Sequence, residues 1–572
     1  MNPSPVYNVS ERAILSALQA APLGVPVKRD SLRLNASVIA LFLLAVVVLS
    51  QGRPCAAQAA ENALVVQTAS GQLRGVARAG GGAEFLGVPY AEPPVGELRW
   101  HEPLAFKPWP GIRDAVAFGA PCAQPVLGDW NRYDAERGKE DCLFLNVITP
   151  VWPAKAALPV MLWLHGGANE GGSASSALYK DGTLVNHGVL LVTVNYRLGV
   201  FGFFSHPELT AESPHHASGN YGLMDQILAL GWVRDNIARF GGDPKNITIF
   251  GQSAGGQDTG LLMTSSLSKT LFQRAIAESG VSFSPAPPSL AEAERQGEKL
   301  AASLTGATPT DPKGDAALIH LRKLSVQELL TARKDLSPHQ TFGPVIDGWV
   351  IARSPAEVFH SGDEAAIPLL IGVTSREFGA QTFGTPTAPD ELRKTISNFM
   401  GSFAPPVLAA YGLNDGGQGT ADALHGSAPD QWTADYFFRC PAVTEGVWHA
   451  AVHNPVYEYE FAHAIPGQEA QGAVHSSDLP YVFGYFPKVG NIAGNFTDID
   501  TKLADLIESY WTNFAKTGNP NTAGLPDWPQ LGASQSYIQF SQDGKVATAT
   551  SLRGAQCAPY REMMSERMRQ PK

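Results

Sequence analysis

A serine inside a glycine-rich pentapeptide is the residue best suited to chemistry in this sequence. Residues 251–255 have the form Gly-x-Ser-x-Gly, with Ser253 at the centre, and directly follow the apolar run 247–250. A sharp turn from a strand into a helix exposes such a hydroxyl, and the flanking glycines avoid Cβ clashes in that turn. The pentapeptide alone could occur by chance, but its position after an apolar run favours a nucleophile. We therefore take Ser253 as the candidate nucleophile.

A second glycine-rich segment could supply the backbone N–H groups that reaction at a serine nucleophile also needs. Residues 165–172 read His-Gly-Gly-Ala-Asn-Glu-Gly-Gly and follow the apolar run 159–164. Attack by serine on a carbonyl carbon creates an oxyanion, which backbone N–H groups already aimed at it stabilise. Read alone, such a loop is more often an ordinary turn. Together with Ser253, it is a candidate oxyanion-binding loop.

Short apolar runs bounded by turn residues must supply the strands that position these two loops. Their lengths and β-branched residues are typical of buried strands; they occupy residues 159–164, 189–194, 247–250, 369–373 and 456–459. Apolar residues recur every three or four positions over 223–237, which predicts an amphipathic helix. Alternating strands and helices predict an α/β fold with a large, mostly parallel central sheet and helices on both faces. Reactive groups collect at the carboxyl ends of such strands, where both loops begin.

The composition is that of a folded acidic protein. The chain has 572 residues, of which 44% are hydrophobic, and a formal net charge of −11. Nucleic acids and anionic membrane surfaces bind clustered Lys and Arg, which this sequence lacks, so we expect neither as a partner. The composition does not indicate which small molecules bind. No linker or repeat interrupts the chain after its N-terminal segment, which predicts a single catalytic domain over residues 60–572.

The N-terminal segment has the pattern of a secretory signal peptide. The basic residues Lys28, Arg29 and Arg33 precede an apolar run at 38–49, and Ala-Gln-Ala follows at 57–59. Twelve apolar residues are fewer than the roughly 20 that span a bilayer, so we expect cleavage rather than a stable membrane anchor. Residues 1–59 are thus predicted to be an N-terminal extension with its signal peptide. The predicted location of the protein is secreted or periplasmic.

The cysteine count agrees with removal of this segment. The sequence holds five cysteines, and cleavage after residue 59 would remove Cys55. The four that remain are an even set, as an oxidising compartment favours. Lipidation at Cys55 is the alternative, although Gly-Arg-Pro before it is a poor context for that modification.

Several longer segments resemble the type-B carboxylesterase and cholinesterase-like family of α/β-hydrolases. They occur in the family's order at residues 87–96, 140–147, 219–226, 240–244 and 251–256. The resemblance covers essentially the whole chain after the N-terminal segment. It implies an α/β-hydrolase fold and a serine esterase that works through an acyl-enzyme, without metal or cofactor.

The resemblance also completes a catalytic triad. It assigns Glu377, which follows the run 369–373, as the acid, and His475, within residues 472–484, as the base. The residues alone would not select them, because an exposed Glu is usually only a surface residue and His453 and His463 lie close by. In the triad, His475 takes the proton of Ser253 while Glu377 holds the imidazole.

Further roles follow from the same resemblance. The backbone N–H groups of Gly167, Ala168 and Ala254 are the expected oxyanion donors, and Ser279 is expected near the triad. Arg99 and Glu140 occupy positions that pair structurally in the family.

The four remaining cysteines match the family's disulfides as Cys122 with Cys142 and Cys440 with Cys557. The alternatives are free thiols or a metal site, but these cysteines lack the close spacing and the histidine partners of metal ligands.

Three departures from the family pattern bear on the substrate. Ala168 stands where the family has a third glycine, and its methyl group is expected to disfavour esters of bulky tertiary alcohols. Asn169 replaces an aromatic residue, and Gln252 replaces the Glu of cholinesterases, which weakens any cation-binding role. Trp130 resembles the tryptophan of the cholinesterase cation–π region, but a pocket wall or a packed loop anchor is the simpler role. We predict Trp130, Asn169 and Gln252 at the substrate pocket.

Two alternatives to an esterase stay open at this point. The same triad permits hydrolysis of amides or carbamates. A catalytically silent binding module of the same fold is the other alternative, although such relatives typically lose a triad residue and this chain has all three. The sequence determines neither the natural ester nor the oligomeric state.

Overall fold

An eleven-stranded mixed sheet organises the part of the chain that the structure describes. The structure is a computed structural model that describes residues 64–153, 156–305, 315–334 and 342–570. The predicted signal peptide, residues 1–59, lies outside the described residues.

The strands follow one another along the chain with helices between most of them. They are β1 (Val65–Gln67), β2 (Gln72–Arg74), β3 (Val76–Ala77), β4 (Ala83–Pro89), β5 (Ile112–Asp114), β6 (Phe144–Thr149), β7 (Leu158–Leu164), β8 (Leu190–Val194), β9 (Gly242–Gln252), β10 (Arg274–Glu278), β11 (Leu369–Thr374), β12 (Val456–Phe461), β13 (Ser536–Phe540) and β14 (Val546–Thr550). The large sheet has the order β14-β13-β12-β11-β10-β9-β7-β8-β6-β4-β3, and β1, β2 and β5 form a small second sheet.

The centre of the large sheet is parallel and its edges are antiparallel. Neighbouring strands from β8 to β13 run parallel, whereas β3, β4, β6 and β14 pair antiparallel with their neighbours. All five predicted strands form, and the prediction of a mostly parallel central sheet is confirmed.

The helices cover both faces of this sheet, as predicted. They are α1 (Arg132–Arg137), α2 (Ala177–Lys180), α3 (Gly199–Phe203), α4 (Pro207–Glu212), α5 (Tyr221–Asn236), α6 (Ala254–Thr264), α7 (Leu290–Thr305), α8 (Asp315–Leu321), α9 (Val326–Lys334), α10 (Pro355–Ser361), α11 (Pro389–Met400), α12 (Ala404–Ala410), α13 (Ala428–Ala434), α14 (Cys440–Ala451), α15 (Leu479–Phe483), α16 (Asp498–Thr517) and α17 (Gly554–Arg569). Alternate residues of β7 enter different cores: Leu162 packs in the core shared with α5 and α6, and Trp163 packs in the core shared with α16. Burial on both faces explains why the strands read as unbroken apolar runs.

Helix α5 forms where the sequence predicts it, but the prediction that it is amphipathic is wrong for its first half. Asp225 and Gln226 are both buried, whereas Arg234 and Asp235 near its end are exposed. Buried Asp225 is paired with the guanidinium group of Arg197 at 2.7 Å, so a polar residue in this helix does not mark a solvent-facing side.

Two disulfide bonds cross-link this framework, the first between loop residues and the second between helices α14 and α17. Cys122 is bonded to Cys142 and Cys440 to Cys557, which confirms both predicted pairings. Arg99 also pairs with Glu140 as expected, through two hydrogen bonds of 2.6 Å. Of the helices in the described ranges, none has the length and apolar content needed to cross a membrane.

Candidate active site

Ser253 occupies the tight turn between β9 and α6. Its φ of 60° and ψ of −123° are unusual for a residue with a side chain, and such strain is typical of functional sites. Its backbone N–H donates to the Glu278 carbonyl of β10 at 2.8 Å, which holds the turn against the sheet. A Cβ on Gly255 would fall on the carbonyl oxygen of Leu164, so this close approach of α6 to β7 requires glycine.

Glu377 and His475 lie side by side beyond the carboxyl ends of β11 and β12. The Nδ1 atom of His475 is 2.5 Å from Oε2 of Glu377. The other carboxylate oxygen of Glu377 accepts from the Ser279 hydroxyl at 2.7 Å and from the Thr374 N–H at 2.8 Å. Buried Glu377 therefore has both oxygens occupied, and the predicted neighbour Ser279 contacts it directly.

The second ring nitrogen of His475 faces the residue that precedes Ser253. Nε2 of His475 lies 3.1 Å from the amide nitrogen of Gln252. Because Nδ1 carries the proton toward Glu377, Nε2 has a free lone pair and accepts this hydrogen bond. In the described part of the chain the hydroxyl of Ser253 has no hydrogen-bond partner. The structure thus brings Glu377 and His475 together, and the hydrogen-bond partner of Nε2 is Gln252 rather than Ser253.

The candidate oxyanion loop lies beside the nucleophile. A Cβ on Gly166 would come within 3.0 Å of the Ser253 Cβ. No described residue accepts a hydrogen bond from the N–H of Gly167, Ala168 or Ala254, so all three donors are available. Their availability is what an oxyanion site requires.

The loop has a strained backbone and side-chain anchors. Ala168 and Asn169 have φ values of 59° and 55°, a left-handed conformation that residues with side chains rarely adopt. The Asn169 side chain is 1% exposed and donates to Oδ1 of Asp258 at 3.0 Å. Gln226 donates to the other oxygen of Asp258 at 2.6 Å, and burial raises the pKa of Asp258 to about 7. The neighbouring Glu170 pairs with Arg333 at 3.0 Å.

Trp130 stands at the edge of the site on the loop closed by the first disulfide. It is 48% exposed, and a Cβ on Gly167 would lie 3.1 Å from its ring. The next residue, buried Asn131, donates to the amide oxygen of Gln124, which in turn accepts from the Gly172 N–H at 2.8 Å. The disulfide loop and the candidate oxyanion loop are therefore directly connected.

Aromatic residues that the sequence analysis missed flank the imidazole. The rings of Phe378 and Phe438 lie 4.2 Å and 5.1 Å from the His475 ring. Partly exposed Phe383 stacks on Phe437 at 4.3 Å. The position of Phe378 directly after Glu377 was a usable signal. Phe437 and Phe438 gave no such signal in the sequence. A π-helical turn between α13 and α14 directs them at the site, and this turn was not predicted.

A further acid, also missed, lies behind the histidine. Asp478 is buried three residues after His475, and burial, reinforced by the charge of Glu377, raises its pKa. It accepts a 3.4 Å hydrogen bond from the Tyr459 hydroxyl. Asp478 is thus near the candidate triad without touching the imidazole nitrogens.

A mostly parallel sheet with a strained serine after β9, an acid after β11 and a histidine after β12 defines an α/β-hydrolase. The chain belongs to the carboxylesterase family, whose sequence model matches residues 62–559.

Characterised relatives span nearly the whole chain. It is 34% identical over 522 residues to fumonisin B1 esterase of Sphingopyxis macrogoltabida, which covers 90% of this chain and 92% of that protein. It is 34% identical over 556 residues to cocaine esterase of Homo sapiens, covering 91% and 94%. Medium-chain fatty acyl-CoA hydrolase precursor of Anas platyrhynchos is 35% identical over 503 residues, covering 81% and 85%. The family resemblance seen in the motifs is confirmed, and the protein is a carboxylic ester hydrolase.

Proposed function

We propose that this protein is a secreted or periplasmic serine esterase that hydrolyses carboxylic esters through Ser253, His475 and Glu377. The observation that carries the proposal is the 2.5 Å hydrogen bond between Glu377 and His475 Nδ1. This bond leaves the lone pair of His475 Nε2 directed at Gln252, the residue before Ser253. A general base must lie this close to the nucleophile to take its proton.

The reaction has two halves. In the first, His475 Nε2 takes the hydroxyl proton of Ser253 as its Oγ bonds to the ester carbonyl carbon. The N–H groups of Gly167, Ala168 and Ala254 hold the resulting oxyanion. His475 then gives the proton to the alcohol oxygen, the carbon–oxygen bond breaks, and an acyl-enzyme is left. In the second half, His475 takes a proton from water as the water oxygen bonds to the acyl carbon. The proton then passes to Ser253 Oγ, and the carboxylic acid product leaves.

Glu377 keeps the imidazole productive. Its carboxylate fixes the proton on Nδ1 and stabilises the imidazolium that forms in each half of the reaction. The hydrogen bonds from Ser279 and Thr374 hold the carboxylate in that orientation.

The surroundings favour an ester with an apolar group. Phe378 and Phe438 flank the base, and Trp130 lies against the oxyanion loop, so apolar surface borders the reacting atoms on two sides. Ala168 adds a methyl group beside the oxyanion site, which disfavours esters of bulky tertiary alcohols. The relatives' names mention fumonisin B1, cocaine and fatty acyl-CoA, so family membership leaves the natural ester open.

The test is hydrolysis of p-nitrophenyl esters of graded acyl length by the wild-type protein and by Ser253→Ala. We expect kcat/KM to fall by about 10⁴-fold or more in Ser253→Ala and to be unchanged in the exposed control Ser402→Ala. A fluorophosphonate should label only proteins that retain Ser253. Full activity of Ser253→Ala would refute the mechanism, and a folded wild-type protein without esterase activity would instead favour a binding module.

The two disulfides support the proposed location, because such bonds persist in oxidising compartments. N-terminal sequencing of exported protein should give a start at Ala60. A start far from this residue would contradict the proposed cleavage site.

A further inference from the structure

A buried carboxylate connects the candidate oxyanion loop to the helix that begins at the nucleophile. Asp258 lies on α6, in the second turn after Ser253, and is 0% exposed. Its Oδ1 accepts from the side-chain amide of Asn169, at 3.0 Å. Neither Asn169 nor Asp258 belongs to the proposed triad.

The surroundings of Asp258 are unusual for a buried acid. Its partners are two neutral amides, from Asn169 and Gln226, and no cationic side chain of the described residues bonds to it. Burial of a carboxylate without a cation is unfavourable, and the raised pKa reflects it. Stability therefore does not explain an acid at this position, whereas a need to hold Asn169 does.

The loop needs such a contact. Ala168 holds a left-handed backbone conformation, which costs of order 1 kcal/mol, and Asn169 holds one that asparagine adopts more readily. The backbone of Asn169 is held by a 2.6 Å hydrogen bond from the Gly199 N–H to its carbonyl. Among the described residues only Asp258 holds its side chain, since the amide oxygen of Asn169 has no partner there. Loss of this contact would let the peptides at 168 and 169 relax toward unstrained conformations.

We propose that Asp258 is a positioning residue that acts through Asn169 to keep the N–H groups of Gly167 and Ala168 directed at the oxyanion formed on Ser253. The inference rests on the proposed function, because it concerns the same site. It adds a residue on α6, the helix that begins at the nucleophile, and this residue sets the geometry of the candidate oxyanion loop. The helix α6 thus begins at the nucleophile and, through Asp258 in its second turn, holds the loop whose N–H groups stabilise the oxyanion.

The expected effect is on the transition state rather than on substrate binding. Loss of one oxyanion donor lowers kcat by about 10²–10³ in serine hydrolases, and a donor that is only misdirected should cost less. We therefore expect Asp258→Ala and Asn169→Ala each to lower kcat by about 10- to 100-fold, with KM nearly unchanged. The affinity of a trifluoromethyl ketone, which forms a tetrahedral adduct with the serine, should fall by the same factor.

Three comparisons separate this role from a general loss of stability. The double variant Asn169→Ala/Asp258→Ala should be no worse than either single variant, because each removes the same contact. Asp258→Asn should keep most of the activity, because the Asn169 amide can turn over and offer its free oxygen to the new amide. Leu262→Ala, a buried apolar truncation in the same helix, should lower the melting temperature without changing kcat.

The measurements are kcat, KM and ketone affinity at about pH 9, where a carboxyl with a pKa of about 7 is ionised, together with melting temperature. Asn169→Ala, a loop variant, serves alone if Asp258→Ala does not fold. Multiplicative losses in the double variant, or unchanged kcat and ketone affinity in a folded single variant, would overturn the inference. Activity that survives Ser253→Ala would overturn the proposed function, whereas Ser253-dependent activity that Asp258→Ala leaves intact overturns this inference alone.

Discussion

Replacement of Glu377 by Gln tests how the triad is held together. The substitution keeps the size of the side chain and removes its charge. One oxygen of Glu377 accepts from Ser279 and Thr374, at 2.7 Å and 2.8 Å, and the other faces His475 Nδ1. Since two fixed donors require an acceptor, the amide oxygen of the variant will take their side and its NH₂ group will face the imidazole.

That orientation reverses the histidine tautomer. An N–H aimed at Nδ1 places the ring proton on Nε2, which then cannot accept the proton of Ser253. Turning the amide over would set its NH₂ group against both donors, at about 1–3 kcal/mol for each unsatisfied buried hydrogen bond. The productive tautomer is thus about 2–6 kcal/mol less accessible, which corresponds to a rate loss of about 30-fold to 10⁴-fold at 1.36 kcal/mol per factor of ten.

The lost charge adds to this effect, because the imidazolium that forms during the reaction no longer faces a carboxylate. We therefore expect kcat to fall by about 10³–10⁴-fold in Glu377→Gln. The KM for p-nitrophenyl acetate should change little, since Glu377 is buried behind the histidine and away from the substrate.

The assay is steady-state hydrolysis of p-nitrophenyl acetate, with melting temperature as the check on folding. Glu391→Gln, the same substitution at an exposed position of α11, is the matched control and should retain full activity. A folded Glu377→Gln protein with kcat within tenfold of the wild type would show that the carboxylate does not set the tautomer.

Two more predictions concern the site's edge and its buried acid. Trp130→Ala should raise KM about fivefold for p-nitrophenyl butyrate and less for the acetate, because about 1 kcal/mol of aromatic contact is lost. Equal effects on both esters would contradict a pocket-wall role. Because the pKa of Asp258 is raised on folding to about 7, the folded state binds its proton more tightly than the unfolded chain. The unfolding free energy should therefore fall as pH rises from about 4 to about 7, by up to about 4 kcal/mol. Urea unfolding of Asp258→Asn should lack this component, and an identical pH slope in both proteins would contradict it.

Local sequence patterns predicted the elements that carry the site better than its contacts. The strands β7 and β9 and the turn at Ser253 were recognisable, because buried runs and flanking glycines are local signals. The polar residues of α5 were misjudged, since the partner of Asp225 is an arginine brought in by the fold. The contact between Asn169 and Asp258 joins residues 89 positions apart, and neither local sequence contains a signal that predicts the contact. Glu377 and His475 were assigned by family resemblance alone.

The dispersal of the site along the chain has a consequence for when activity first arises. Two of the three contacts to the Glu377 carboxylate, from Ser279 and from His475, each bridge 98 residues. They come from loops after β10, β11 and β12, which meet only when these parallel strands have paired across long crossovers. Pairing of this kind is slow, because loop closure precedes the gain from contact. The proposed triad is therefore complete only in the finished sheet, and we expect a partly assembled chain to lack esterase activity.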